Sequence, residues 1–254
     1  MPNRPEVFDP PKPKTLHELF ATGRRLSCAW FSVGSATLFE IGAAARPDLA
    51  VIDRQHGLWD RGGMEAAIGL VRYQLPVVVR VAENSAHAIA EALDAGAASV
   101  LVPLVESADE ARRAVAHGRY PPFGARSGGG VRPLLAGLAA MKADGERISI
   151  GVMIETVAGV EQVEAIAAVQ GLGYLFVGTG DLALSRNGAT GAIERDCSRI
   201  LAAAHAHGLP CGIFTGDEAD ACAQLANGFD FAVVANDIDV VRGGFERAVA
   251  ALRA

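Results

Sequence analysis

Basic residues are in short supply in this chain, with 23 Lys and Arg against 29 Asp and Glu, a formal net charge of −6. A nucleic-acid partner needs a basic face to neutralise phosphates, and this balance argues against one. Long apolar runs are missing too: none reaches the roughly 18 residues that a membrane-crossing helix needs, so no membrane partner is expected. The cysteines, Cys28, Cys197, Cys211 and Cys222, make no CxxC pair and no zinc spacing. They read as free buried thiols, and a reducing cytoplasm is the expected compartment. Residues 1–14 lack an apolar signal core and carry Pro2, Pro5, Pro10, Pro11 and Pro13, which predicts an extended arm rather than a secretion signal. No linker-like stretch divides the rest, so residues 15–254 are expected to form one domain.

What is present is an alternation. Half of the 254 residues are hydrophobic, enough for a large core. Short apolar, β-branched runs lie at 28–31, 49–53, 77–81, 99–103, 148–155, 174–178, 211–214 and 231–234. Most lack polar alternation, as parallel strands buried on both faces do. Between them, stretches with 3.6-residue periodicity occupy 36–45, 64–73, 86–95, 108–117, 160–169, 195–207, 218–226 and 240–252, with an extra helix expected over 15–22. Gly96, Gly118, Gly208 and Gly228 suit left-handed helix caps. Eight strand–helix units fit a closed (β/α)8 TIM barrel better than a doubly wound open sheet.

Chemistry in such a barrel sits where strands end and the following loops begin. Those positions hold Asp53-Arg54-Gln55-His56-Gly57, then Arg80, then Met153-Ile154-Glu155-Thr156, then Gly178-Thr179-Gly180-Asp181. Glu155 and Asp181 are oxygen donors suited to a hard divalent cation such as Mg²⁺ or Mn²⁺; the competing reading is that each caps the next helix. Backbone N–H groups around Gly180 could take a small anion, although a Gly-x-Gly taken alone is better explained by a plain tight turn. Arg80 closes an apolar run and needs an anion, either a substrate or an internal barrel carboxylate. His56 stands on the same rim as a candidate proton carrier.

In this order and spacing the residues resemble the HpcH/HpaI aldolases, class II enzymes acting on pyruvate. The landmarks are Asp53-Arg54-Gln55-His56-Gly57, Val78-Val79-Arg80-Val81, Leu93-Asp94-Ala95-Gly96-Ala97, Val102-Pro103, Arg119-Tyr120-Pro121-Pro122-Phe123-Gly124-Ala125-Arg126-Ser127, Ile154-Glu155-Thr156 and Gly178-Thr179-Gly180-Asp181-Leu182. The resemblance implies that Glu155 and Asp181 hold a divalent metal (Mg²⁺, Mn²⁺ or Co²⁺) and that Arg80 stabilises an enolate. It implies that His56 moves protons, paired with Asp94, and that backbone groups of Gly180 and Asp181 take the carboxylate of a 2-keto acid. Gln55 and Met153 would face the substrate; many relatives have Glu and Gln there, and alanine in place of Gly180. The implied reaction is reversible aldol cleavage of a 4-hydroxy-2-keto acid to pyruvate, or a close analogue, and an aldehyde. The implied assembly is a homo-oligomer, a trimer or a hexamer. Lys12, Lys14 and Lys142 lie outside every expected strand, so no Schiff-base lysine is available there.

Two other readings remain open at this point. One is a different metal-enolate chemistry on the same scaffold, such as a citrate-type lyase or synthase or a decarboxylase. The other is a non-catalytic protein that binds 2-keto acids, which would have little use for His56. Recognition of the aldehyde is expected from loops at 58–61, 126–132 and 214–217.

Overall fold

A computed structural model describes residues 14–253. The arm expected at residues 1–14 thus lies outside the described residues, Lys14 excepted. Eight parallel strands close into a barrel in chain order: β1 (Leu26–Phe31), β2 (Leu49–Asp53), β3 (Val77–Arg80), β4 (Ser99–Val102), β5 (Ser149–Ile154), β6 (Tyr174–Val177), β7 (Cys211–Ile213) and β8 (Phe231–Asn236). Every expected strand is found. The ends move a little: β1 starts at Leu26, and β8 runs on to Asn236. The open-sheet alternative is excluded, because β1 pairs with both β2 and β8.

Strand periodicity of two divides each strand between two cores. One parity faces the barrel interior, where Cys28, Trp30, Leu49, Val51, Val78, Leu101, Met153, Tyr174, Phe176, Phe231 and Val233 pack together. The other parity, including Ile52, Val79, Val100, Ile150, Val152 and Leu175, packs under the helices. Two glycines make the interior fit its aromatic filling: a Cβ on Gly151 would lie 2.1 Å from Cζ of Tyr174, and one on Gly212 would lie 2.2 Å from Cζ of Phe231. The short helix Leu16–Phe20 closes the N-terminal mouth, burying Leu16 and setting Phe20 5.9 Å from Tyr174 and 5.5 Å from Phe231. Burying a side chain of this size contributes about 1.5–3 kcal/mol.

Helices begin where the strands end, and most carry a side-chain cap. Ser35, Asp60, Ser85, Ser107, Thr156, Asp217 and Asn236 each accept a hydrogen bond from the N–H three residues on. Such a cap is worth about 1 kcal/mol. Gly96, Gly208 and Gly228 have the expected positive φ, whereas Gly118 does not: it is the last residue of the helix Ala108–Gly118. Close packing explains it instead, since a Cβ there would lie 2.3 Å from Cδ1 of Ile150. The helix expected at 160–169 is broken at Gln162 (ψ 6°) into Val157–Glu161 and Val163–Ala167. Helices at Val131–Leu134, Leu138–Glu146 and Thr179–Ser185 are additional. Among the described residues no helix is long and apolar enough to cross a membrane.

Candidate functional site

The interior parity that places Val51 and Val78 in the barrel also turns Asp53 and Arg80 inward, one layer nearer the C-terminal mouth. These two end neighbouring strands and stand opposite each other in register. Arg80 Nε donates to Asp53 Oδ1 at 2.9 Å and Nη2 donates to Oδ2 at 2.6 Å, a two-pronged ion pair. Its guanidinium also lies 5.0 Å from the centre of the Trp30 ring, leaving Nη1 4.0 Å from Met153 Sδ. The internal ion pair that sequence reasoning held open for Arg80 is therefore present, and it fixes the cation while leaving one nitrogen unengaged by oxygen.

Asp53 is the residue that sequence reasoning passed over. Only 2% exposed, it also accepts the backbone N–H groups of Gln55 (3.0 Å) and His56 (3.2 Å) through Oδ1. One carboxylate thus sets both the arginine and the turn that carries the histidine. Burial alone would raise its pKa, but the Arg80 guanidinium and those two N–H groups outweigh burial and hold it below the usual carboxylate value. Gly57 permits the turn, because a Cβ there would sit 2.2 Å from the Asp53 carbonyl oxygen. The pairing follows from the register of β2 against β3, which sets Asp53 opposite Arg80 in one layer.

Glu155 follows β5 on the same interior parity and is buried. Its Oε1 accepts the Leu104 N–H at 2.7 Å. Leu104 reaches it from a left-handed backbone (φ 54°), a conformation that costs a non-glycine residue about 1–2 kcal/mol. Burial pushes the Glu155 carboxyl up to about 7, against the pull of the Leu104 N–H, and the neighbouring Asp181 carboxylate pushes it further the same way. Gly178 lines this spot: a Cβ there would lie 2.6 Å from Glu155 Oε2 and 3.0 Å from Met153 Sδ. Asp181 stands in the first turn of the helix Thr179–Ser185, which has no side-chain N-cap, so the first backbone N–H groups of that helix have no acceptor on it. A Cβ on Gly180 would meet nothing within 4 Å.

Among the described residues no group of three or more His, Cys, Asp or Glu side chains gathers as a metal cage. Two adjacent carboxylates, one of them held above its ordinary pKa, are nevertheless a donor set that suits a hard divalent cation, which takes its remaining ligands from water or substrate. His56 is exposed at the rim, and Gln55 presents a buried Oε1 with no hydrogen-bond partner.

Asp94 is not brought to this rim. It ends the helix Ala86–Asp94, which runs back from the β3 end of the barrel mouth toward the start of β4, at the opposite face. There its Oδ1 takes Arg126 Nη2 at 2.8 Å, and within the chain no bond joins it to His56 among the described residues. The 126–132 segment lies on the same side: it falls between the helix Ala108–Gly118 and the start of β5. Arg126 lies 4.6 Å from the centre of the Tyr120 ring, and Arg132 donates to the carbonyls of Ala95 and Glu65. Within one chain it is no part of the mouth.

Fold and site together define a barrel enzyme whose rim pairs two carboxylates with a locked guanidinium. The model of the HpcH/HpaI aldolase/citrate lyase family matches residues 26–243, and the chain belongs to that family. It is 35% identical over 229 residues to 5-keto-4-deoxy-D-glucarate aldolase of Salmonella arizonae, covering 86% of this chain and 88% of the relative. With 4-hydroxy-2-oxovalerate aldolase of Novosphingobium aromaticivorans it shares 36% identity over 219 residues, 83% of this chain and 82% of that one. The crystal structure of an HpcH/HpaI aldolase/citrate lyase family protein from Burkholderia cenocepacia J2315 superposes with a TM-score of 0.85 at 31% identity, covering 91% of this chain and 95% of the other. The chain is thus an enzyme, a carbon–carbon lyase of the aldolase kind.

Proposed function

We propose that the protein catalyses divalent-metal-dependent aldol cleavage and condensation, with pyruvate or a close analogue as the enolate partner. The observation that carries this reading is the pair Glu155 and Asp181 beside an Arg80 held by Asp53. Glu155 and Asp181 are the proposed metal ligands, and a bound divalent cation supplies Lewis acidity to the keto group. Arg80 offers Nη1 to the keto oxygen, where negative charge grows as the α-proton leaves, in the manner of an oxyanion hole. The N–H groups at the start of the helix Thr179–Ser185 receive the carboxylate of the 2-keto acid. Gln55 and Met153 border that substrate, and His56 carries the proton to and from the C4 oxygen.

The direct test is proton–deuterium exchange at C3 of pyruvate, with no aldehyde present. Exchange is expected with Mg²⁺ or Mn²⁺ and is expected to stop after chelation. Exchange that survives complete metal removal would reject the metal-dependent reading.

A dyad of His56 with Asp94 requires two copies of the chain, with Asp94 of one facing His56 of the other. An oligomer is supported independently by the C-terminal helix Asp237–Ala250, whose only buried residue is Asp237 and whose Val240, Phe245 and Val249 are exposed. An apolar helix face of this size is normally covered. Light scattering is expected to give a trimer or hexamer, and Phe245→Glu should lower both the mass and the cleavage rate. A monomeric, fully active wild type would overturn this assembly.

A further inference from the structure

We propose that Asp237, at the start of the C-terminal helix, is a positioning residue for His56, acting through the loop that follows β1. This rests on the aldolase reading above and adds a residue that sets the proton carrier from another strand end.

Asp237 is 6% exposed, and no cationic side chain pairs with it among the described residues. A buried carboxylate without a counter-ion is costly unless hydrogen bonds compensate it. Two do so here: Oδ1 accepts the Ser32 N–H and Oδ2 accepts the Val33 N–H, each at 2.9 Å. Capping does not account for the residue, because Asn236 already caps the helix Asp237–Ala250 by accepting the Asp239 N–H at 2.9 Å. β1 and β8 are neighbours in the barrel, with Trp30 opposite Asn236. That register carries the Asp237 carboxylate to the two amides just beyond β1.

The loop held in this way meets the turn that carries His56. The Ser32 carbonyl accepts the Leu58 N–H at 2.7 Å, and a Cβ on Gly57 would lie 2.9 Å from the same oxygen. Ser32 Oγ also lies 3.4 Å from Asp53 Oδ2. On the other side of the turn, Asp53 Oδ1 accepts the N–H groups of Gln55 and His56. His56 is therefore gripped between two supports, Asp53 before it in the chain and Ser32 after it. Asp53 is anchored independently by Arg80, whereas the backbone of Ser32 is anchored by Asp237.

Loosening Asp237 frees one support of the turn and leaves the Arg80–Asp53 and Glu155–Asp181 pairs in place. The reaction divides along the same line. Enolisation of pyruvate draws on Arg80 and the two carboxylates, whereas proton transfer at the C4 oxygen draws on His56. A misplacement of about 1 Å in a reacting group can slow its step about a hundredfold. Here that loss falls on the C4 transfer alone.

The test uses two substitutions in the full-length protein with Mg²⁺. Asp237→Asn keeps the volume but offers one acceptor oxygen where two N–H groups each need one. Asp237→Glu keeps both oxygens and the charge, carried one methylene further out. With 4-hydroxy-2-oxobutanoate, the smallest 4-hydroxy-2-keto acid, each should lower kcat for cleavage by about ten- to a hundredfold and leave KM within about threefold. Pyruvate proton–deuterium exchange without aldehyde should stay within about threefold of the unsubstituted protein. In a His56→Ala background the same substitutions should cost less than about twofold, because the group they position is gone. Amide deuterium uptake, read by mass spectrometry, should rise in peptides covering 32–33 and 56–58 and stay unchanged in the strands. Cleavage and exchange falling together in both variants, an unchanged kcat, full additivity with His56→Ala, or unmoved uptake at 56–58 would overturn the proposal. An unsubstituted protein that exchanges no pyruvate proton rejects the aldolase reading instead, while the uptake at 56–58 still tests the link to Asp237.

Discussion

Arg80→Ala is expected to reduce both pyruvate proton exchange and aldol cleavage by about a thousandfold or more, the upper range for loss of a fixed oxyanion donor. Arg80→Lys should recover little, because an ammonium cannot span Asp53 with two nitrogens and still present a third toward substrate. The alanine variant carries a second consequence. It strands the Asp53 carboxylate, 2% exposed, without its counter-ion, and breaking a buried pair from one side costs roughly 3–5 kcal/mol. Thermal or urea unfolding would show that loss. The double variant Asp53→Asn with Arg80→Ala separates the two effects. It should regain much of the stability, since no buried charge is left unpaired, yet regain none of the exchange activity. Return of exchange in the double variant would mean that Arg80 matters only as the partner of Asp53.

That coupling also marks where sequence alone stops. Strand positions were legible because apolar β-branched runs of this length have few other uses, and the rim residues followed from reading strand ends. The Arg80–Asp53 pair needed the register of β2 against β3, which no local pattern in either strand reports. The left-handed Leu104, whose N–H reaches Glu155, was illegible, because leucine carries no signal for that conformation. Gly118 shows one residue type serving a different end, close approach to Ile150 rather than a helix cap. The helix Val131–Leu134 was hidden by its four-residue length and by Pro133, and Leu138–Glu146 by its lack of an apolar stripe, since it buries only Met141 and Gly145. Asp94 and Arg126 were legible as residues but not as places, since a helix that follows a strand carries its last turn to the far face of the barrel.

Glu155→Gln and Asp181→Asn are each expected to weaken Mg²⁺ or Mn²⁺ binding by a hundredfold or more, read by calorimetry rather than by activity. Their pH dependences should differ in a way that a merely structural role would not produce. In the unsubstituted protein the Glu155 carboxyl titrates at about 7, above its ordinary value, chiefly because it is buried. A metal must displace that proton, so affinity should fall about tenfold per pH unit below 7 and flatten above it. Glu155→Gln removes the titrating group, and the bend near 7 should vanish. Asp181→Asn removes a neighbouring negative charge that raises the Glu155 pKa, so the bend should move to lower pH while staying above the ordinary carboxylate value, because burial persists. His56→Ala serves as the contrast: cleavage should slow by about two to four orders of magnitude with metal affinity unchanged. Tight Mn²⁺ binding by Asp181→Asn, with an unmoved bend, would place the cation elsewhere and remove the basis for assigning Glu155 and Asp181 as its ligands.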